Sequence, residues 1–462
     1  MSPSQFSGSS GSVASEEVLS ASMSSRSSRI PGFYQLSAED RLLALARYAD
    51  LDDQEIALLR SAAALTPEQA DKMVENAIGI HAMPLGLGLN FLINGRDYLV
   101  PMAIEEASVV ASASYSAKLI REAGGFTAGS SGRIMIGQIQ VVHCPNFDEA
   151  RQELLDRADE LIELANRAYP SMAERGGGAR ELEVRILNAG ASEGRSAASG
   201  RGTASAVPML VAQFYIDTQD AMGANVINTM MEAVAPVIEE FTGGRVYLRI
   251  LSNLTDRCLA WSQVVLPARV LKTGHLSGED VVEGILMAQA FADADPYRAA
   301  THNKGVMNGI DAVVIATGND WRAIEAGCHA YAARTGQYGA MTHWSRDGQG
   351  NLVGRIELPM AVGTAGVVRS NPASALALKI LGVETARELA EVIVSVGLAQ
   401  NLAAIKALAT EGIQKGHMAL HARNVAMSAG ARGDEVEEIA LAMVQSREIR
   451  LAKALELLNR KR

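Results

Sequence analysis

An α+β protein is predicted, with a large mixed α/β domain, a small βαββαβ domain inserted into it and a helical flap at the C-terminus. Three observations lead there. The chain has 462 residues, 48% of them apolar and 20% charged, and at about 150 residues per domain that is room for three compact units with buried cores. Between residues 133 and 252 the hydrophobic period changes in the order strand, helix, strand, strand, helix, strand, which is the split βαβ, or ferredoxin-like, arrangement. After Gly412 and Gly416 a helical pattern starts afresh and runs on toward the end.

Thirteen of the first 30 residues are Ser. Nothing in 1–29 can bury enough apolar area to offset its ordering entropy, so a disordered tail is expected. It lacks the apolar stretch of a signal peptide, and Glu16 and Glu17 argue against a transit peptide. The large domain is expected over 30–131 and 255–411, with the small domain at 132–254 between them. Within the small domain, IMIGQIQVV (134–142) is β-prone, and Leu154, Ala158, Leu161, Ile162 and Ala165 share one face of a helix over 148–166. ELEVRIL (181–187) alternates as a strand, and the Gly/Ser/Ala segment 189–206 reads as a flexible surface loop. A strand at 209–216, a helix from about 220 to 241 and a last strand with Val246, Leu248 and Ile250 on one face complete it.

Further on, Thr385 and Glu388 have capping-box spacing ahead of a stripe of Leu389, Val392, Ile393 and Val396. Asp434 with Glu437 has the same spacing ahead of Val436, Ile439, Ala440 and Met443. Residues 412–462 therefore form a small helical unit joined through glycines, of the kind that moves as a lid.

Composition excludes several classes. No run of roughly 18 uncharged apolar residues suggests a transmembrane helix. The formal net charge of −10 disfavours nucleic acid and anionic membranes as partners. Cys144, Cys258 and Cys328 are scattered and odd in number, which suits a reducing compartment, and the cytoplasm is expected. Neither a G-x-G-x-x-G nor a Walker A loop is present. His417 and His421 have metal-compatible spacing, but the Glu of HExxH and a third ligand cluster are missing, so no metal is expected.

Four polar groups stand among small and apolar residues. Glu105 and Glu106 sit in VPMAIEEASVVASAS, where burial or a neighbouring carboxylate raises one pKa and leaves a proton donor near neutrality. Lys304, in the glycine-bearing THNKGVMNGIDAV, suits a developing oxyanion. Asp320 follows a β-prone run in ATGNDWRA, and His417 beside the glycine hinge is placed to deliver a proton. Each alone reads more readily as an ion pair, a cap or a solvated face than as a catalytic group. Their combination points to catalysis.

The chain carries ENAIGI (75–80), EEASVVAS (105–112), DAMGANVINTM (220–230), RILSNL (249–254), DPYRAATHNKGVMNGIDAVVIATGNDWRA (295–323) and GHMALHARN (416–424), and the four groups fall in three of these segments. In that order, from about residue 29 to the end, the chain closely resembles hydroxymethylglutaryl-CoA reductases of the soluble, bacterial-type branch. The resemblance implies a two-step, four-electron interconversion of hydroxymethylglutaryl-CoA and mevalonate with two nicotinamide cofactors in turn. It gives Lys304 the thioester carbonyl and the oxyanion, Glu106 the proton donation, Asp320 the link between Glu106 and Lys304, and His417 the protonation of the departing CoA thiolate. Arg298, Ser108 and Asn308 resemble the groups that hold the hydroxymethylglutaryl moiety, and Asn76 with Gly79 those on the CoA arm. Asp220, Met222, Gly223, Asn225 and Asn253 resemble cofactor-side residues.

NADH-preferring relatives carry an acidic residue just after an ELANR-type helix end, and the matching position here is Tyr169. Without that carboxylate, and with Arg167, Arg175 or Arg180 nearby, NADPH is expected ahead of NADH. The resemblance also implies a homodimer, or a higher homo-oligomer, with active sites at the subunit interface. Two features depart from it: segment 189–206 is long, and Phe33-Tyr34-Gln35 lacks the basic residue that some relatives offer to CoA phosphate. The alternatives are another CoA-thioester enzyme, such as an acyl transferase, and a non-catalytic ferredoxin-like binding module. The latter leaves Glu106, Lys304, Asp320 and His417 without a role.

Overall fold

The computed structural model describes residues 26–61, 64–187, 207–410 and 412–461. Three short helices come first, α1 (Ala38–Ala49), α2 (Asp53–Arg60) and α3 (Pro67–Met73). Capping boxes start α2 at Asp52/Glu55 and α3 at Thr66/Gln69. Strands β1 (Leu85–Ile93) and β2 (Arg96–Ala103) form a hairpin turned by Asn94-Gly95, both with positive φ, as a two-residue hairpin turn requires. Helix α4 (Val109–Glu122) and strand β3 (Thr127–Ser130) follow.

The next segment runs β4 (Ile134–Val142), α5 (Phe147–Asp156), α6 (Ala158–Ala168), α7 (Pro170–Glu174), β5 (Gly178–Leu187), β6 (Met209–Asp217), α8 (Ala224–Thr242) and β7 (Arg245–Ser252). Its sheet has the order β5-β6-β4-β7, antiparallel throughout. This is the ferredoxin-like order, with Leu154, Leu161, Phe214 and Ile227 fully buried in its own core.

The chain then returns with β8 (Leu259–Leu266), α9 (Gly278–Ala294), α10 (Pro296–Ala316), α11 (Trp321–Ala332), β9 (Thr342–Arg346), β10 (Leu352–Pro359), α12 (Pro372–Leu381) and α13 (Ala386–Ala409). A second four-stranded sheet, β3-β8-β10-β9, joins residues from before and after the ferredoxin-like segment, so that segment is an insertion in the larger body. Helix α13 is long and apolar enough to cross a membrane, yet most of it is buried in the main core. Helices α14 (Ile413–Ser428), α15 (Asp434–Ser446) and α16 (Leu451–Lys461) close the chain around a separate cluster that includes Ala422, Met443 and Leu458. At the junction of insertion and body Arg133 is buried, its guanidinium donating to the carbonyls of Gln219 (3.1 Å), Met360 (2.9 Å) and Val362.

Several expectations change. The tail reaches less far than residue 29, because Ser28 is fully buried, its N–H and Oγ donating to Asp97 at 2.6 and 2.7 Å. Residues 1–25 and the expected loop at 189–206 lie outside the described residues. The single helix expected over 148–166 breaks at Arg157, whose guanidinium stacks 4.2 Å from the Phe241 ring and pairs with Glu153. On β7 only Val246 of the expected face is buried. The register against β4 slips between Ile139 and Val141, so the inward positions switch to Leu251 while Leu248 and Ile250 turn outward on the sheet edge.

Neither capping box forms fully. Thr385 accepts from Glu388 N, but the Glu388 carboxylate takes Glu384 N instead. Gly433, not Asp434, stands at the N-cap of α15. The β-prone run ahead of Asp320 is the last part of α10, since its residues pack on every side into the main core.

Candidate active site

Between β2 and α4 the chain makes a tight corner. Ile104 N donates to Pro84 O at 3.1 Å, which brings the stretch leaving ENAIGI against the residues leading into Glu106. Ser108 stands at the start of α4 with φ +77, a left-handed conformation that costs a non-glycine residue free energy, and its Oγ is buried with no partner. An acceptor or donor brought by a ligand would satisfy it.

Helix α10 opposes this corner. Asp295 caps it and Pro296 opens it. Lys304 and Asn308, four apart and so on one face, both reach Glu106: Lys304 Nζ forms an ion pair with Glu106 Oε2, and Asn308 Nδ2 donates to the same oxygen at 3.3 Å. The pair stays open to solvent, with 59% of the lysine side chain and 41% of the glutamate side chain exposed. In the first turn of α10 Arg298 is half-buried, and among the described residues it makes no hydrogen bond or ion pair. Desolvation pulls its pKa down. A guanidinium without a protein partner is free to take an anion.

Asp320 lies elsewhere in this chain. It caps α11, accepting from Ala323 N at 3.1 Å, and faces Arg322 Nε at 3.8 Å. It lines a cleft between the inserted domain and the body, with Met222, Leu251 and Asn253 on the one side and Gly327 and Pro359 on the other. No contact joins it to Glu106 or Lys304 among the described residues.

The DAMG turn sits at that cleft. Gly223, with φ +91, caps the 19-residue α8 without any side-chain acceptor, and a Cβ there would come within 2.6 Å of Thr218 Cγ2. The uncapped N–H groups and the helix dipole fit a phosphate. Asn225 lies in the first turn of α8. The Asp220 carboxylate accepts Ala386 N at 2.8 Å, which ties the DAMG turn to the start of α13.

Tyr169 ends α6, partly buried against the small core, and exposed Arg167 faces Glu163 at 3.6 Å. This region meets the DAMG turn through Gly176, whose carbonyl accepts from both Arg180 and Gln219. Asn76 (φ +57) and Gly79 lie in the exposed stretch between α3 and β1. His417 is on α14, its side chain outside the described ones.

Segment 363–365 escaped sequence reasoning. It cradles the DAMG turn: Thr364 N donates to Asp220 O at 3.0 Å, and a Cβ on Gly363 would sit 2.5 Å from Met222 N. Its only sequence signal is a run of small residues, VGTAG. Among the described residues no group of three His, Cys, Asp or Glu is placed to hold a metal.

A family model described as hydroxymethylglutaryl-coenzyme A reductase matches residues 37–422. The 3-hydroxy-3-methylglutaryl-coenzyme A reductase of Archaeoglobus fulgidus is 52% identical over 94% of this chain and 95% of its own, and the probable reductase of Borreliella burgdorferi is 35% identical over 76% and 77%. Among solved structures, the class II enzyme of Streptococcus pneumoniae bound to NADPH superposes with a TM-score of 0.76 at 44% identity, covering 82% of this chain and 99% of that one. Another structure of that reductase covers 94% of this chain and 99% of that one, with a TM-score of 0.77 at 43% identity. Fold and likeness together define an oxidoreductase. The chain belongs to the hydroxymethylglutaryl-coenzyme A reductase family.

Proposed function

We propose that this enzyme interconverts hydroxymethylglutaryl-CoA and mevalonate plus CoA in two reductive steps, four electrons in all, with NADPH ahead of NADH. The observation that carries the reading is the Lys304–Glu106 pair, an ammonium and an acid in direct contact at a solvent-open corner. The N-terminus of α8 and the cleft lined by Met222 and Asn253 would hold the nicotinamide cofactor, which would supply hydride. Lys304 donates hydrogen bonds to the thioester oxygen and to the oxyanion that develops on it. Glu106, at the same atoms, hands a proton to the aldehyde-level oxygen. Arg298 binds the free carboxylate of the substrate, with Ser108 and Asn308 beside it. The exposed stretch around Asn76 and Gly79 takes the CoA arm. His417, carried on the C-terminal helices as a mobile flap, protonates the leaving thiolate.

Asp320 completes the site from the second subunit of a homodimer. In one chain it touches neither Lys304 nor Glu106, and Met287, Phe291 and Tyr297 of α9 and α10 leave apolar surface exposed next to the helix of Lys304. The preference for NADPH rests on Tyr169 where an acidic side chain would repel a 2′-phosphate, with Arg167, Arg175 and Arg180 as the candidate cations. The Streptococcus pneumoniae relative binds that cofactor. Three buried, free cysteines suit the cytoplasm.

Purified protein given hydroxymethylglutaryl-CoA should oxidise NADPH, with kcat/KM above that for NADH, and Lys304→Ala should lower turnover by at least about a hundredfold, the scale of about 3 to 4 kcal/mol for a lost oxyanion contact. Absence of nicotinamide oxidation would favour acyl transfer instead.

A further inference from the structure

A chain of hydrogen bonds leaves α10 next to Lys304 and returns to it two turns later. Asn303, fully buried, donates Nδ2 to the Tyr338 hydroxyl at 2.9 Å and accepts Met341 N at 2.8 Å. The Tyr338 hydroxyl lies 2.7 Å from His329 Nδ1, and His329 Nε2 lies 2.8 Å from Glu325 Oε2. Glu325 is hydrogen-bonded to Asp311, whose Oδ1 is buried without a partner.

The Tyr338 oxygen accepts from Asn303 and keeps its own O–H for His329 Nδ1, an arrangement in which Nδ1 accepts and Nε2 carries a proton toward Glu325. A carboxylate that already accepts there can sit at hydrogen-bond distance from a second carboxyl group only when one of the two keeps a proton. Burial, and then the Glu325 contact, push Asp311 up to about 9, while His329 holds Glu325 below the usual range against its burial.

We propose that Asp311 is a positioning residue: it holds the proton it shares with Glu325, and the chain of bonds locks α11, which bears Asp320, against α10, which bears Lys304 and Asn308. This rests on the catalytic reading of those three residues. Helix α11 also borders the cofactor cleft, since Gly327 is packed so closely that a Cβ would lie 2.5 Å from Asn253 O. A shift of α11 therefore moves Asp320 and the cleft wall together.

The titratable groups that face Asp311 and Glu325 are His329 and Cys328 of α11 and Tyr338 of the loop after it. Burial pushes the Cys328 thiol and the Tyr338 phenol up, so both stay neutral as Asp311 titrates. Elements on the other sides of α10 direct their charges elsewhere: Asp97 of β2 to Arg121 of α4, Arg96 of β2 to Glu388 of α13, Lys379 of α12 to Glu55, Lys406 of α13 to Tyr115 and Asp293 of α9 to Gln289. With its pKa raised, Asp311 keeps its proton below about pH 9 and loses it above. Two carboxylates then meet, and the lock opens.

The test is the pH profile of kcat and KM for the full-length enzyme, Asp311→Ala and Asp311→Asn, together with the infrared carbonyl band of a protonated carboxyl group. Asp311→Ala should lower kcat by about tenfold, as misplaced catalytic groups do, with the thioester KM little changed. Asp311→Asn should restore kcat at neutral pH, since its amide N–H donates to Glu325 as the acid does. Its alkaline limb should lie at least about one pH unit above that of the parent. The infrared band should be present at pH 7 in the parent and missing from Asp311→Asn. An unmoved alkaline limb in Asp311→Asn, or no band in the parent, would overturn the proposal; should Asp311→Ala not fold, these two readouts still decide. Full turnover by Lys304→Ala would instead sink the catalytic reading and leave the band unaffected.

Discussion

Asp97 illustrates what a single side chain does here beyond the chemistry. It accepts Ser28 N, Ser28 Oγ and both ends of the Arg121 guanidinium. Burial opposes its ionisation, but the Arg121 and Ser28 donors outweigh that and hold the carboxyl below its usual range. A carboxyl with a lowered folded pKa stabilises the protein above the ordinary carboxylate range, and this contribution is lost as pH falls through the lowered value. Asp97→Asn should therefore cost about 2 kcal/mol at pH 7, the scale of hydrogen bonds to a charged group, and less in acid. Urea denaturation at pH 7 and at pH 3 measures both, and an equal loss at the two would assign the cost to packing. Deleting residues 1–28 should lower stability too, because Ser28 goes with them. Glu106 and Lys304 were legible in the sequence because charged groups among small residues stand out locally. Ser28–Asp97 and Asp311–Glu325 were not, since each depends on a partner brought up by the fold, and the backbone of Ser108 has no signature in its residue type.

At the scale of elements, period gave the four strands of the inserted domain and its two main helical stretches, but it saw neither the short α7 nor interruptions. The slip in β7 depends on pairing with β4, and the break at Arg157 on the Phe241 ring from α8, eighty-odd positions away. Helix α10 was misread in its last turns because a helix buried all round shows no stripe. Close approaches between elements are likewise invisible without a neighbour. At Gly327, Gly327→Ala forces α11 away from the Asn253 carbonyl, since a Cβ would lie at 2.5 Å from a backbone atom that cannot swing aside. The expected outcome is a KM for NADPH raised by about tenfold or more with the thioester KM nearly constant, read from initial rates with each substrate varied. A rise confined to the thioester would place the cofactor elsewhere than this cleft.

For the whole molecule, the inserted segment and the C-terminal helices each pack around a cluster separate from the main core. The insertion is bound to the large body by the buried Arg133, by Asp220 at the start of α13 and by segment 363–365 against the DAMG turn. The C-terminal helices have a core of their own around Ala422, Ile439, Met443 and Leu458, and they leave α13 through Gly412 at φ +79, a conformation few other residues adopt without strain. A unit that keeps its core when it moves can open and close without unpacking the rest, so the cost of motion is set by its contacts with the body and not by its stability. His417 rides on the first of these helices. If it protonates the departing thiolate, it acts in the thioester half of the reaction only, because reduction of free mevaldehyde expels no thiol. His417→Gln should then lose about a hundredfold or more in reduction of hydroxymethylglutaryl-CoA, within the range of a lost general acid, and keep most of its activity on mevaldehyde. Steady-state rates on the two substrates with NADPH make the comparison. Parallel losses on both would mean that the flap orders the site as a whole, and the proton to CoA would have to come from another group.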